Sequence, residues 1–185
     1  MKKPWRKLRS LKDIIDRERL YNKNFTIFST NCIGGIIYHN LKLRFLSPTI
    51  NLWISPKDYI KLLEDPQKYF SNSDMHEIKI ENINYPVGRL NDITVYGEHY
   101  SSFDELRNKW NERKKRINWG NIFVFMIERD GCTYQDLRDF DKLPYKNKVV
   151  FTKKRYENIK SSIVLPDSYD EENENVNNLL QYAWC

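Results

Sequence analysis

Phe25-Thr26-Ile27-Phe28-Ser29-Thr30-Asn31-Cys32-Ile33-Gly34-Gly35-Ile36-Ile37-Tyr38 reads as strand, polar turn and helix in quick succession. The aromatic and β-branched run suits a pleated, buried strand, and the glycine pair opens the apolar segment that follows the turn. A second unit of this kind is expected next: Thr49 to Ile54 is apolar and β-prone. Ser55-Pro56 then supplies an N-cap and a first-turn proline for a helix through Tyr69. Glu77 to Ile83 and Arg89 to Tyr96 predict two strands joined by the turn Asn84-Tyr85-Pro86-Val87-Gly88, an antiparallel hairpin at the sheet edge. Ser102-Phe103-Asp104-Glu105 has a capping-box pattern, and Phe103, Leu106, Trp110 and Ile117 stripe a helix ending near Asn118. Ile122 to Ile127 is apolar throughout, as in a strand buried on both faces. A helix from Thr133, strands over Val149 to Phe151 and Ser162 to Leu165, and a last helix over Glu171 to Trp184 complete the order. Alternating strands and helices predict a three-layer α/β domain with a mostly parallel sheet and an antiparallel edge hairpin.

The chain has 185 residues, 40% hydrophobic, 14% aromatic and 30% charged, which fits one globular domain and excludes wholesale disorder. Its net charge of +6 is concentrated: from Met1 to Lys23 nine lysines and arginines face three acids, leaving the remainder formally neutral. A nucleic-acid binder carries its basic footprint over the folded surface, so nucleic acid is an unexpected partner. Trp5, Leu8, Leu11 and Ile15 recur at helical spacing. Residues 1–23 are therefore read as a basic amphipathic helix and residues 24–185 as a single α/β domain. That helix either packs on the domain edge or makes peripheral membrane contact through residues 1–20. Apolar runs stop far short of the roughly 20 residues of a membrane span, and no h-region follows the N-terminal charges, so a cytoplasmic location is expected. Cys32, Cys132 and Cys185 match neither a disulfide framework nor a zinc ribbon, and no metal site is expected from their spacing.

Ligands in open α/β sheets bind beyond the carboxyl ends of the strands, and polar residues gather there. The first strand delivers Ser29, Asn31 and Cys32 with Gly34 and Gly35 behind them. A helix start in this place suits a phosphate or an oxyanion and favours a nucleophilic Cys32 thiolate, whereas the bland alternative is a small buried cysteine and a glycine packing device. His99 follows a strand and precedes a capped helix, which makes it the candidate base. Arg129 and Asp130 leave the Ile122 strand and Lys153 leaves the Phe151 strand. Asp130 is a candidate base or cation ligand, or merely a cap with Thr133, and Arg129 and Lys153 are candidate cations for donor charge. Asp92 lies on the hairpin, facing the crevice or exposed at a turn. Arg113-Lys114-Lys115-Arg116 reads as a solvated helix end.

Ser29-Thr30-Asn31-Cys32-Ile33-Gly34-Gly35, Leu46-Ser47-Pro48-Thr49, Tyr85-Pro86-Val87-Gly88, Arg129-Asp130-Gly131-Cys132 and Leu143-Pro144-Tyr145-Lys146-Asn147-Lys148-Val149-Val150-Phe151, in this order, resemble the bacterial domain of unknown function nineteen-nineteen family. The resemblance runs from Phe25 to Ala183 and implies exopolysaccharide or capsular polysaccharide biosynthesis, under acyltransferase or glycosyltransferase labels. It carries over no catalytic residues.

Three functions follow as expectations. The first is a transferase moving a glycosyl or acyl group from an activated donor to a glycan acceptor. Its cofactor would be magnesium or manganese with a nucleotide-sugar, or acyl-CoA. The second is a Cys-nucleophile acyltransferase or hydrolase using Cys32 and His99. The third is a non-enzymatic carbohydrate-binding or scaffold module, with Trp53, Tyr100, Trp110 and Trp119 as stacking faces.

Overall fold

The structure, a computed structural model, describes residues 13–71 and 73–165. Helical residues 13–19 precede β1 (Thr26–Ser29) and α1 (Ile33–Asn40). Then come α2 (Pro56–Glu64), α3 (Pro66–Phe70), β2 (His76–Ile78), β3 (Val87–Leu90), β4 (Ile93–Tyr96) and α4 (Phe103–Lys114). The chain continues through β5 (Ile122–Ile127), α5 (Tyr134–Lys142), β6 (Asn147–Thr152) and β7 (Ser162–Val164). Residues 1–12 of the expected N-terminal helix and the expected helix over Glu171 to Trp184 lie outside the described residues.

The α/β architecture is as the pattern predicts. Four strands form a parallel sheet in the order β1-β5-β6-β7, with Thr26 opposite Ile122 and Phe125 opposite Val149. Both faces are buried, which is why β5 is apolar throughout. Phe28, Val124, Met126 and Val150 face a large core with α2, α4, α5 and the antiparallel strands, whereas Phe25, Ile27, Phe125 and Phe151 face a second core with α1.

Four expectations change. The hairpin is not an edge of the parallel sheet: β2, β3 and β4 form their own antiparallel sheet. Arg89 to Tyr96 is two strands, because Asn91 takes a left-handed φ of 53° and turns the chain so that Leu90 pairs with Ile93. Thr49 to Ile54 is not a strand either. Residues 48–51 turn, and only Trp53 bridges, to Tyr96. The open edge of β1 is instead satisfied by side chains: Ile27 N–H donates to the Tyr38 hydroxyl at 3.0 Å and Ser29 N–H to Thr49 Oγ1 at 3.2 Å. Finally, the helix expected from Ser55 to Tyr69 breaks at Asp65, because Pro66 has no N–H to continue it, and the Asp65 carboxylate caps the new helix at Lys68 N.

Candidate active site

The carboxyl ends of β1, β5 and β6 lie on one edge of the sheet, and the site is built from what β1 delivers there. Ser29 Oγ donates to the Asn31 carbonyl at 2.8 Å and accepts from Gly34 N–H at 3.4 Å, while Asn31 Oδ1 accepts from Ile33 N–H at 3.1 Å. These side chains therefore cap α1 within the protein itself. Gly34 and Gly35 serve close packing. A Cβ on Gly34 would stand 2.9 Å from Ser29 Oγ, and one on Gly35 would stand 2.7 Å from Asn51 Oδ1. Cys32 occupies the N-cap position without a side-chain capping bond, and its half-buried thiol points elsewhere. Sγ lies 3.0 Å from Nε2 of the exposed His99, a residue 67 positions away in sequence.

His99 is held by its neighbours. Gly97 N–H donates to the Pro86 carbonyl at 2.8 Å, and Tyr100 N–H closes back on the Gly97 carbonyl at 2.9 Å. Buried Tyr100 then anchors the turn by donating its hydroxyl to the Ile50 carbonyl at 2.8 Å. The Trp53 bridge shuts the circuit: Trp53 and Tyr96 exchange two backbone bonds of 2.9 Å, and Ile54 N–H donates to the Thr30 carbonyl at 3.2 Å. Turn 30–32, segment 53–54 and loop 96–100 are thus tied together beside the thiol and the imidazole.

Asp130 reaches the same rim from β5. It adopts a φ of 55° and Gly131 a φ of 81°, a left-handed pair that turns the carboxylate toward the indole. Asp130 Oδ2 accepts from Trp53 Nε1 at 3.1 Å and from Arg129 Nε at 2.8 Å. Its side chain remains 35% exposed.

A family model, Domain of unknown function (DUF1919), matches residues 5–184. The chain belongs to the DUF1919 family. An uncharacterized protein of Haemophilus influenzae is 37% identical over 158 residues, covering 85% of this chain and 75% of that protein.

In this DUF1919 protein Ser29, Asn31, Cys32, Gly34, Gly35, His99, Arg129, Asp130 and Lys153 share one edge, and Asp92 stands apart from them. Asp92 sits at the end of β4 opposite Tyr96, where Lys68 Nζ at 2.7 Å and the Tyr69 hydroxyl at 2.9 Å donate to it. Those bonds hold its carboxyl well below the usual carboxylate range, and they tie the β3–β4 turn to α3. Lys153 N–H donates to Glu128 Oε2 at 2.8 Å, and the other Glu128 oxygen accepts from the Tyr156 hydroxyl at 2.5 Å. Cys132 lies beside this carboxylate, packed on the larger core. Burial, with Asp136 and Glu128 nearby, pushes its thiol up to about 12. Among the described residues no group of three or more His, Cys, Asp or Glu side chains is placed to hold a metal ion, and no helix is long and apolar enough to cross a membrane.

Sequence reasoning placed Arg113 at a solvated helix end, but it is buried behind Tyr100, donating to that hydroxyl at 2.7 Å and to the Ile50 carbonyl at 3.2 Å. Its signal was present: Arg113 continues the Leu106 and Trp110 stripe at helical spacing.

Proposed function

We propose that this protein is a cytoplasmic acyltransferase of bacterial surface-polysaccharide assembly, with Cys32 as nucleophile and His99 as base. The observation that supports the reading is the 3.0 Å contact between thiol and imidazole, made by residues that meet only through the fold. It is the spacing a nucleophile and its base require. The polysaccharide context rests on the family resemblance.

In this mechanism His99 Nε2 takes the thiol proton as Cys32 Sγ bonds to the acyl carbonyl carbon of the donor. Collapse of the tetrahedral adduct breaks the carbon bond to the leaving group, which departs with that proton and leaves a thioester on Cys32. A glycan hydroxyl then attacks the thioester carbonyl and passes its proton through His99 to the departing sulfur, which restores the thiol. The Trp53 ring and the exposed oxygen of Asp130 stand at the rim where an acceptor would enter.

Incubation with acetyl-CoA followed by intact-protein mass measurement tests the reading. An added acetyl group should map to Cys32, vanish in Cys32→Ser and fall steeply in His99→Asn. A folded Cys32→Ser variant that is acetylated like the parent protein would refute the assignment. The glycosyl alternative leans on Asp130 in place of the thiol. It predicts that Asp130→Ala, and not Cys32→Ser, abolishes turnover of a nucleotide-sugar with magnesium or manganese.

A further inference from the structure

A polar cleft of about 440 Å³ lies between α5 and the segment that joins β6 to β7, lined by Tyr134, Arg138, Asp141, Lys142 and Asn158. Its volume is that of a small-ligand site, and its walls are polar where such sites are usually apolar. Tyr134, Arg138 and Lys142 recur every four residues on α5 and stand in one row, while Leu137 and Phe140 of the same helix are buried in the core. The row is fixed in place. The Tyr134 ring is 47% exposed and stacks on Tyr156 with centroids 5.5 Å apart. Tyr156 is itself held by the bond from its hydroxyl to Glu128, just beyond β5, and the Thr133–Asp136 capping box sets the start of the helix. Asp141 Oδ1 accepts from Ser161 N–H at 2.8 Å, which ties the other end of the cleft to the entry of β7. Asp139 is engaged by Gln135 and Lys142, and among the described residues the Arg138 and Asn158 side chains close no ion pair or hydrogen bond.

These groups match one chemistry. Arg138 and Lys142 donate, Asp141 accepts and Asn158 does both, as a ring of neighbouring hydroxyls requires. The exposed Tyr134 ring suits the flat C–H side of a sugar ring. A phosphate would instead meet the Asp141 carboxylate in the same wall and be repelled by it. We propose that this cleft binds a pyranose unit of the glycan acceptor, with Tyr134 as its stacking platform and Arg138 and Asn158 as partners for its hydroxyls. The proposal rests on the acyltransferase reading for the role of that glycan, and on the cleft alone for the binding. Position agrees with the role: Tyr134 follows β5 and Tyr156 follows β6 at the edge where Cys32 follows β1. Neighbouring strands are about 4.8 Å apart, so the ends of β1 and β6 stand about 10 Å from each other, a span that a glycan of a few units covers.

The test is a titration of the full chain, followed by saturation-transfer NMR, with the methyl glycosides of glucose, galactose, N-acetylglucosamine and glucuronic acid. At least one should receive saturation on its ring protons. Tyr134→Ala should weaken its binding about tenfold. Tyr134→Phe, which keeps the ring, should bind like the parent protein, Arg138→Ala should bind more weakly, and Cys32→Ser should be unchanged. Absence of transfer to all four glycosides overturns the proposal, as does binding that survives intact in both Tyr134→Ala and Arg138→Ala, which would put the sugar elsewhere. An equal loss in Tyr134→Phe and Tyr134→Ala overturns the stacking role, and displacement of the glycoside by inorganic phosphate would assign the cleft to an anion instead. Failure of the acyltransfer reading looks different, because acetyl-CoA then leaves no thioester on Cys32, whereas glycoside binding is read with no donor present.

Discussion

Cys32 and Cys132 both stand where a parallel strand hands over to a helix, the first after β1 and the second after β5. Both helix starts offer a positive dipole end, yet the surroundings oppose each other. Cys32 faces His99 at the rim, whereas Cys132 is packed on the core with Asp136 and Glu128 nearby and a thiol pushed up to about 12. A helix N-terminus therefore does not activate a thiol by itself. The neighbours brought in from other elements decide, because burial and two carboxylates oppose the dipole at one site and an imidazole partner replaces them at the other.

The largest effect that separates the two sites is their reactivity. At pH 7 an ordinary thiol near 8.5 is about 3% thiolate and one near 12 about a hundred-thousandth; the greater nucleophilicity of the more basic sulfur returns part of that difference. Cys32 should therefore outpace Cys132 toward iodoacetamide by roughly 100-fold or more, read by peptide mass measurement. Equal rates would erase the contrast. Cys132 labelling should also climb about tenfold per pH unit up to about pH 11, while Cys32 levels off earlier.

Next in size is the packing that sets Cys32 in place. Gly34→Ala forces a Cβ against Ser29 Oγ and within 3.1 Å of Ile27 Cγ2, on a fully buried strand. A cost of about 1–3 kcal/mol is expected, or a fall in Tm of roughly 2–12 °C. Cys32 labelling should change along with it. An equally destabilising change beside Cys132 should leave Cys32 untouched.

The smallest effect belongs to Asp92, which is distant from both thiols. Its carboxyl is held below its ordinary value, so the folded state binds that proton less tightly than the unfolded chain. The resulting stabilisation is fully present above about pH 4 and declines as the pH falls toward the lowered value. Asp92→Asn should therefore lower Tm modestly at neutral pH, the gap narrowing below about pH 4 in thermal melts at matched ionic strength. Cys32 labelling should not respond. A gap that widens on acidification would contradict the clamp made by Lys68 and Tyr69.

The α/β pattern was legible because burial writes itself into local sequence: an apolar β5 between two cores, a Ser55-Pro56 helix start, and the β-branched and aromatic run of β1. Thr49 to Ile54 misled because the Thr49 hydroxyl serves the edge of β1 and the Ile50 carbonyl accepts from Tyr100 and Arg113, side-chain bonds that periodicity does not register. The hairpin misled because the turn is only the two residues Asn91-Asp92, set between Leu90 and Ile93 in a run that otherwise reads as one strand.

By itself the sequence determined the α/β class and the strands of the parallel sheet, the crowded polar edge beyond them, and the residue types able to work there, since these follow from hydrophobic period and side-chain chemistry. Only the tertiary structure decided which of them meet. It set Cys32 against His99 across 67 positions and kept Asp92 and Cys132 out of that contact. It also turned Arg113, which the sequence left at a solvated helix end, into a buried charge behind Tyr100. The reason is range: periodicity reports a residue's exposure to its own helix or strand, whereas reactivity depends on charges and donors a few ångströms away in space, wherever they lie in the chain.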